Sequence, residues 1–323
     1  MNLKLLLRKY FPIILNFLHL APRFWRNNSS YFVAVDYHYI TSNKIQHPTL
    51  EVQSSILENQ LMFFSESIDV INPKKFGDDY FQNKKSRLSL LITIDDADYS
   101  VKENLHLFEK YNIPILIFAP FGLCLDQNSR NGLISRILRA FFEIKDYSGN
   151  KDTAFKEEFF NKVITSSDLE LNDLYKQMKS KRDDIDPLSS RKLLSIEELT
   201  ELSKNPLVTV SSHSMSHPLL SQISQDWLEW EINTSLEYLT KVNGDKRFFA
   251  YPYGFKDAIN QSVKTQLHNA GVKYAFTTRS NGITENSDPL EYGRVGMLNF
   301  ESKAHLKGLA GNAFEYYDLL LNR

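Results

Sequence analysis

The sequence predicts an α/β fold: a parallel sheet curled toward a barrel and interrupted by one helical insertion. Three observations predict it. Apolar runs too short for helices stand at Tyr31–Asp36, Ser89–Asp98, Ile113–Ala119, Leu207–Val210 and Phe248–Tyr251, the mark of strands buried on both faces. Amphipathic helical stretches separate them, and strand, helix, strand in that rhythm means right-handed crossovers and parallel pairing. Polar residues with chemistry to offer also stand just beyond several strands: His38, Asp95 with Asp96, His213 with His217, and Tyr251 with Tyr253. In a closed or strongly curved parallel sheet they converge at one end.

The elements follow in order. YFVAVD at Tyr31–Asp36 is a strand that runs directly into Tyr37 and His38. Ile56, Leu57, Leu61 and Phe64 recur at three- and four-residue steps, predicting a helix over Ser54–Phe64, with a short strand at Asp69–Ile71 after it. SLLITIDDAD reads as a strand buried on both faces whose apolar run ends in two adjacent carboxylates. Asp is a poor strand former and costly to bury unpaired, so the pair calls for a cation or marks a solvated turn. Ser100 and Glu103 are spaced as a capping box for the next helix, with Val101, Leu105 and Phe108 on its apolar stripe. From about Phe121 to Lys192 no further strand pattern appears. This charged, locally amphipathic stretch predicts a helical insertion hanging over the strand ends.

The rhythm resumes at Ser195, which with Glu198 is spaced as a second capping box for a helix over Ile196–Lys204. A strand then delivers SSHSMSH at Ser211–His217, and Pro218 argues that these histidines sit in a loop or at a helix start and not mid-helix. A helix over Trp227–Val242, a strand ending in Pro252, Tyr253 and Gly254, a helix stopped by Gly271 and a strand at Tyr274–Thr278 complete the periodic part. The remainder is less regular.

The bulk numbers exclude several classes. At 323 residues and 42% hydrophobic content the chain can fill a full core, and a net charge of −1 gives no electrostatic case for nucleic acid. One cysteine, Cys124, excludes an intrachain disulfide framework or a cysteine-rich metal site and suits a reducing, cytoplasmic compartment. No apolar run approaches the roughly 18 residues that span a bilayer. Residues 1–26 carry Lys4, Arg8, Lys9, Arg23 and Arg26 with no acidic residue. Asn16 and His19 interrupt their apolar middle, so a basic amphipathic helix packed on the protein or on a membrane surface fits better than an export signal. The domain reading is therefore this N-terminal helix over 1–30, then one barrel domain over 31–323 with its insertion at about 121–192.

Two histidines and a carboxylate make a facial ligand set that leaves positions open for water or substrate. H-x-x-x-H alone is weak, since such pairs occur on ordinary helices; its place after a strand and its match with Asp95 and Asp96 strengthen it.

TIDDAD, SSHSMSH and FAYPYG, in that order, resemble the metal-dependent polysaccharide deacetylases, and the early YH and late DPLEYGRV look like the branch of that family with YPYG in its third motif. The resemblance covers about 31–120 and 190–298. It implies a distorted (β/α) barrel of the polysaccharide deacetylase type and metal-dependent hydrolysis of an N-acetyl group on an amino sugar of a glycan or its precursor. It also implies one divalent ion, zinc by default, on Asp96, His213 and His217, with Asp95 as general base and the Tyr253 backbone N–H as oxyanion donor.

Three departures qualify it. Ala97 stands where glycine is usual, which is tolerable unless φ is positive there. Ala250 stands where many members carry arginine; in the YPYG branch a later segment supplies it, and Arg294 is the match, holding Asp95 ionised. The family's late histidine, which protonates the leaving amine, has no clear counterpart. His213 and His217 are committed to metal, and His19, His47, His106 and His268 fall in a helix or polar loop. His38 and His305 remain, and only His38 follows a confident strand. Two other classes fit the same residues: a two-His-one-carboxylate metal oxygenase, which needs neither the second aspartate nor the YPYG loop, and a non-catalytic carbohydrate-binding protein on the same fold.

Overall fold

A computed structural model describes residues 31–77, 80, 89–144, 152–181, 191–297, 299 and 306. The expected N-terminal helix and His305 lie outside the described residues. Among the described residues no helix is long and apolar enough to cross a membrane.

Strand β1 (Tyr31–Tyr37) is followed by the short pair β2 (Tyr39–Thr41) and β3 (Glu51–Gln53), helix α1 (Ser54–Ser67) and β4 (Asp69–Val70). Strand β5 (Ser89–Ile94), helices α2 (Ser100–Glu103) and α3 (Leu105–Lys110) and β6 (Ile115–Ala119) come next. The insertion contributes α4 (Phe121–Cys124), α5 (Arg130–Glu143), α6 (Thr153–Thr165) and α7 (Asp168–Ser180). The chain then runs through α8 (Ile196–Ser203), β7 (Val208–Ser212), α9 (Gln225–Lys241), β8 (Phe248–Ala250), α10 (Gln261–Asn269), β9 (Tyr274–Phe276), β10 (Ile283–Thr284) and β11 (Arg294–Gly296).

β1, β5, β6, β7, β8 and β9 pair in parallel in that order. The sheet nearly closes through a segment that sequence periodicity left irregular. β11 pairs in parallel with β1, Ala34 against Arg294, and Tyr292 just before it bridges to Phe276 of β9. The result is a seven-stranded parallel barrel. Three residues are too few to show a period, so the closing strand had no signal of its own.

Strand alternation sorts the core into an inside and an outside. Phe32, Ala34, Leu91, Leu116, Phe118, Phe248, Ala250, Tyr274 and Phe276 form one cluster, the barrel's filling. Their neighbours Val33, Val35, Leu90, Ile92, Ile115, Ile117, Val208 and Val210 form another with Leu57, Leu61, Phe64, Phe108, Leu199 and Leu239 of the outer helices. The inward register continued past Leu91 and Ala34 reaches Thr93, Asp95 and Asp36, so the polar residues cap an aromatic plug at the C-terminal mouth.

One local expectation is corrected. Ser195 and Glu198 form their capping box, but Ser100 and Glu103 do not. Asp98 Oδ1 accepts from Ser100 N at 2.9 Å, and Ser100 Oγ accepts from Ile40 N at 3.0 Å. Asp, two residues upstream, reached the helix start first.

The insertion is helical in its described part and has its own core: Leu133, Ile137, Leu138, Phe141, Phe160, Val163, Leu171 and Met178 gather on Trp227 of α9, with Phe160 stacked on its ring at 5.6 Å.

Candidate active site

The site stands at the C-terminal ends of β1, β5, β7 and β8, and Arg294 reaches it from the start of β11. The ladder runs on past β5 and β7, with Asp95 N donating to Tyr37 O and His213 N to Ala119 O, both at 2.9 Å, and so delivers both side chains to the mouth. Asp96 at φ 69° and Ala97 at φ 51° then turn the chain left-handed. φ at Ala97 is therefore positive, and the alanine carries a strain of roughly 1 kcal/mol that glycine would not.

Asp95 is buried and gripped by Arg294, whose Nη1 donates to Oδ1 at 2.6 Å and Nη2 to Oδ2 at 2.7 Å. Arg294 is fully buried and fixed from behind by Thr93 Oγ1 (3.0 Å) and the Thr277 carbonyl (3.1 Å). Burial pushes the Asp95 pKa up, but the Arg294 charge, then His213 and the paired hydrogen bonds, overrule it and hold it down to about 2. Fork-to-fork pairing of this kind is the strong form of charge-assisted bond.

Asp96 differs in every respect. Its Oδ2 accepts from Tyr39 Oη at 3.1 Å, while its buried Oδ1 has no hydrogen-bond partner. Burial raises its pKa against the pull of His38 and His213. That Oδ1 lies 3.7 Å from His213 Nε2 and 3.6 Å from His217 Nε2. Ligands of one tetrahedral cation at bond lengths of 2.0–2.1 Å stand about 3.4 Å apart, so a small inward adjustment admits an ion. His213 Nδ1 meets the Ala250 carbonyl at 2.7 Å, which makes Nδ1 the donor and leaves the Nε2 lone pair for a metal. Burial, and then the charges of His213 and Arg139, push the His217 pKa well below the usual range and keep its imidazole neutral. An orphaned carboxylate oxygen facing two imidazole nitrogens fits a divalent cation.

His38 and Tyr253 join the same mouth. His38 is partly exposed, with Nδ1 3.8 Å from Asp36 Oδ2, and Asp36, His38 and Asp95 each bring one polar atom within 4.8 Å of the others. Arg294 already occupies Asp95, so this second cluster is a poor cation site. The Tyr253 ring packs at 5.0 Å from that of His217. Tyr253 is left-handed at φ 62° and Gly254 at φ 61°, where an added Cβ would lie 2.7 Å from Thr278 N; only glycine fits there. The structure thus gathers Asp95, Asp96, His213, His217, His38, Arg294 and Tyr253, while His106 and His268 lie exposed on helices.

Sequence reasoning missed the supports. Glu231 on α9 is fully buried under the SSHSMSH loop. It accepts from Met215 N and Ser216 N at 2.9 Å each, from Ser216 Oγ, and from Trp227 Nε1 at 2.9 Å. Arg191 binds Asp98 at 2.6 Å and lies over the Tyr39 ring at 4.0 Å, backing the hydroxyl that holds Asp96. Arg139 on α5 contacts both His217 and Tyr253. An acid in the second turn of a helix and arginines in a charged insertion look like solvated residues in one dimension. A cavity of about 690 Å³ has these two arginines, Arg139 and Arg191, in its wall with Glu143 and Tyr175.

A parallel barrel whose mouth sets an arginine-locked carboxylate beside an Asp-His-His group that could hold a cation has the parts of one class: hydrolases that act on an unactivated acyl bond. The comparisons narrow it. The Polysaccharide deacetylase family profile matches residues 82–275, and the chain belongs to that family. Among solved structures it is similar to the Streptococcus pyogenes deacetylase PplD in complex with acetate, at TM-score 0.59 and 17% identity, covering 86% of this chain and 97% of that one. It is also similar to IcaB from Ammonifex degensii (TM-score 0.57, 17% identity, 88% and 97% covered). BC0361, a polysaccharide deacetylase from Bacillus cereus, is a third (0.57, 15%, 87% and 69%). At these identities the likeness is one of fold. Comparison with curated proteins gave no significant match.

Proposed function

We propose that this protein hydrolyses the N-acetyl group of an amino sugar in a glycan or glycan precursor, with one divalent cation, zinc by default, at Asp96, His213 and His217. The observation that carries the reading is the contrast between adjacent carboxylates: Asp95 locked as an anion by Arg294, and Asp96 with a buried oxygen aimed at two imidazoles.

When bound, the cation supplies Lewis-acid polarisation of the amide carbonyl and a more acidic water. Asp95, ionised and held off the ligand set by Arg294, would take a proton from the attacking water as its oxygen bonds to the carbonyl carbon. Charge gathering on the carbonyl oxygen is shared with a backbone donor, for which the Tyr253 N–H is the candidate. His38 would give its proton to the amide nitrogen as the C–N bond breaks, so acetic acid and a neutral amine leave, and the acid then loses its proton to solvent to give acetate. An amine anion is too poor a leaving group to depart unaided, and His38 is partly exposed at the rim where substrate arrives.

A two-His-one-carboxylate oxygenase has no use for the locked Asp95. The reading keeps the enzyme in the cytoplasm, with basic residues 1–26 as the segment to test for membrane contact. Acetate release from a panel of acetylated glycans, with and without added zinc, tests the activity. Release from at least one, lost on chelation, is expected; oxygen consumption without acetate would replace this reading with the oxygenase.

A further inference from the structure

Arg139 belongs to the insertion, yet its guanidinium ends against the metal-ligand loop. It is buried, and one nitrogen, Nη1, donates to the His217 carbonyl at 2.9 Å and to the Tyr253 hydroxyl at 2.8 Å. We infer that Arg139 is a positioning residue through which the helical insertion holds two strained loops, those of His217 and Tyr253, in register with the cation site. The inference rests on Asp96, His213 and His217 being the ligands.

Three observations carry it. First, the loops need holding. His217 at φ 58° and Tyr253 at φ 62° are both left-handed, each at a cost of roughly 1–2 kcal/mol, and such residues persist only where surroundings over-determine them. Ser214 Oγ fixes the His217 N–H at 3.1 Å, and Thr278 Oγ1 donates to the Tyr253 carbonyl at 3.0 Å. Arg139 bonds to both loops at once, beside the direct packing of the Tyr253 ring on that of His217.

Second, the charge is expensive where it stands. Arg139 is paired with the Glu143 carboxylate one turn along α5, at 3.5 Å, in a helix whose other inward residues include Leu133, Ile134, Ile137, Leu138 and Phe141. Well-packed apolar residues often match or exceed a buried ion pair in stability. Helix packing alone therefore does not call for the pair.

Third, the contact is selective. His213 has a carbonyl to accept its Nδ1–H, the usual outer support of a ligating histidine. His217 Nδ1 instead lies 3.1 Å from Arg139 Nη1; with Nε2 given to the metal, Nδ1 keeps its proton, and two donors form no bond. Arg139 thus sets His217 through its backbone and through the neighbouring Tyr253 ring.

The test is metal titration of the chelated full-length chain with Zn²⁺ against a chromophoric competitor, together with kcat and KM. Arg139→Met should weaken Zn²⁺ binding about 10- to 100-fold, the usual cost of losing an outer-shell partner, and lower kcat more than it raises KM. Tyr253→Phe should give a smaller loss, and that loss should vanish in the Arg139→Met background, where the bond is already gone. Arg139→Lys should recover part of the affinity. Wild-type Zn²⁺ affinity and kcat in Arg139→Met, or full additivity with Tyr253→Phe, would overturn the assignment. If Arg139→Met fails to fold, Tyr253→Phe and Arg139→Lys decide, and wild-type affinity and kcat in both would overturn it. A wild-type chain that binds no Zn²⁺ refutes the ligand reading itself, a result separable from any difference among variants.

Discussion

Arg294 and Asp95 lie 199 residues apart in sequence and form a buried two-pronged pair, with bonds of 2.6 and 2.7 Å. The arginine stands on the strand that completes the barrel, so closing the fold and fixing the ionisation of Asp95 are one event. In Arg294→Met the burial of Asp95 loses its strongest opponent, so its pKa must rise. The acid limb of kcat/KM should move to higher pH, and an unmoved limb would show that Arg294 does not set the charge of Asp95. Stability follows the same sign. The folded pKa is depressed to about 2, below the unfolded value of about 3.9. The pair's contribution is thus fully present above about 3.9 and lost as pH falls through about 2.

Metal retention should depend on the two imidazoles. The double variant His213→Ala, His217→Ala should purify without stoichiometric metal while keeping its circular dichroism, because the barrel's filling lies below the mouth. Full metal content by mass spectrometry would refute the ligand set.

His38 is separable from the rest by leaving group. His38→Ala should slow an N-acetyl substrate far more than an activated acetate ester, whose departing group needs no proton. Equal losses on both would mean that His38 only shapes the site.

Glu231 should matter to stability before chemistry. Glu231→Ala leaves the Met215 and Ser216 amides buried without their acceptor, a loss on the order of 3 kcal/mol, read as a lower Tm. An unchanged Tm would mean the loop holds itself.

These residues also mark how far one dimension reaches. SLLITIDDAD, SSHSMSH and FAYPYG were legible because an apolar run that ends in paired polar residues is locally anomalous, and the anomaly names both strand and site. The resemblance to the family added the match of Arg294 to Asp95. Position in the sheet came only from the fold, since β11 is three residues long. Glu231, Arg191 and Arg139 were illegible for a different reason. A charged residue on an amphipathic helix is ordinary in sequence, and only tertiary packing turns it inward. The Ser100 capping box failed by competition, with Asp98 offering the nearer acceptor.

The central claim is that the adjacent carboxylates divide the work, Asp96 binding metal and Asp95 moving the proton. Asp95→Asn tests it in one preparation, through metal content and acetate release measured together. The account predicts full metal occupancy with turnover reduced at least about a hundredfold, the low end for losing a general base. Normal turnover, or loss of the metal along with the activity, would contradict it.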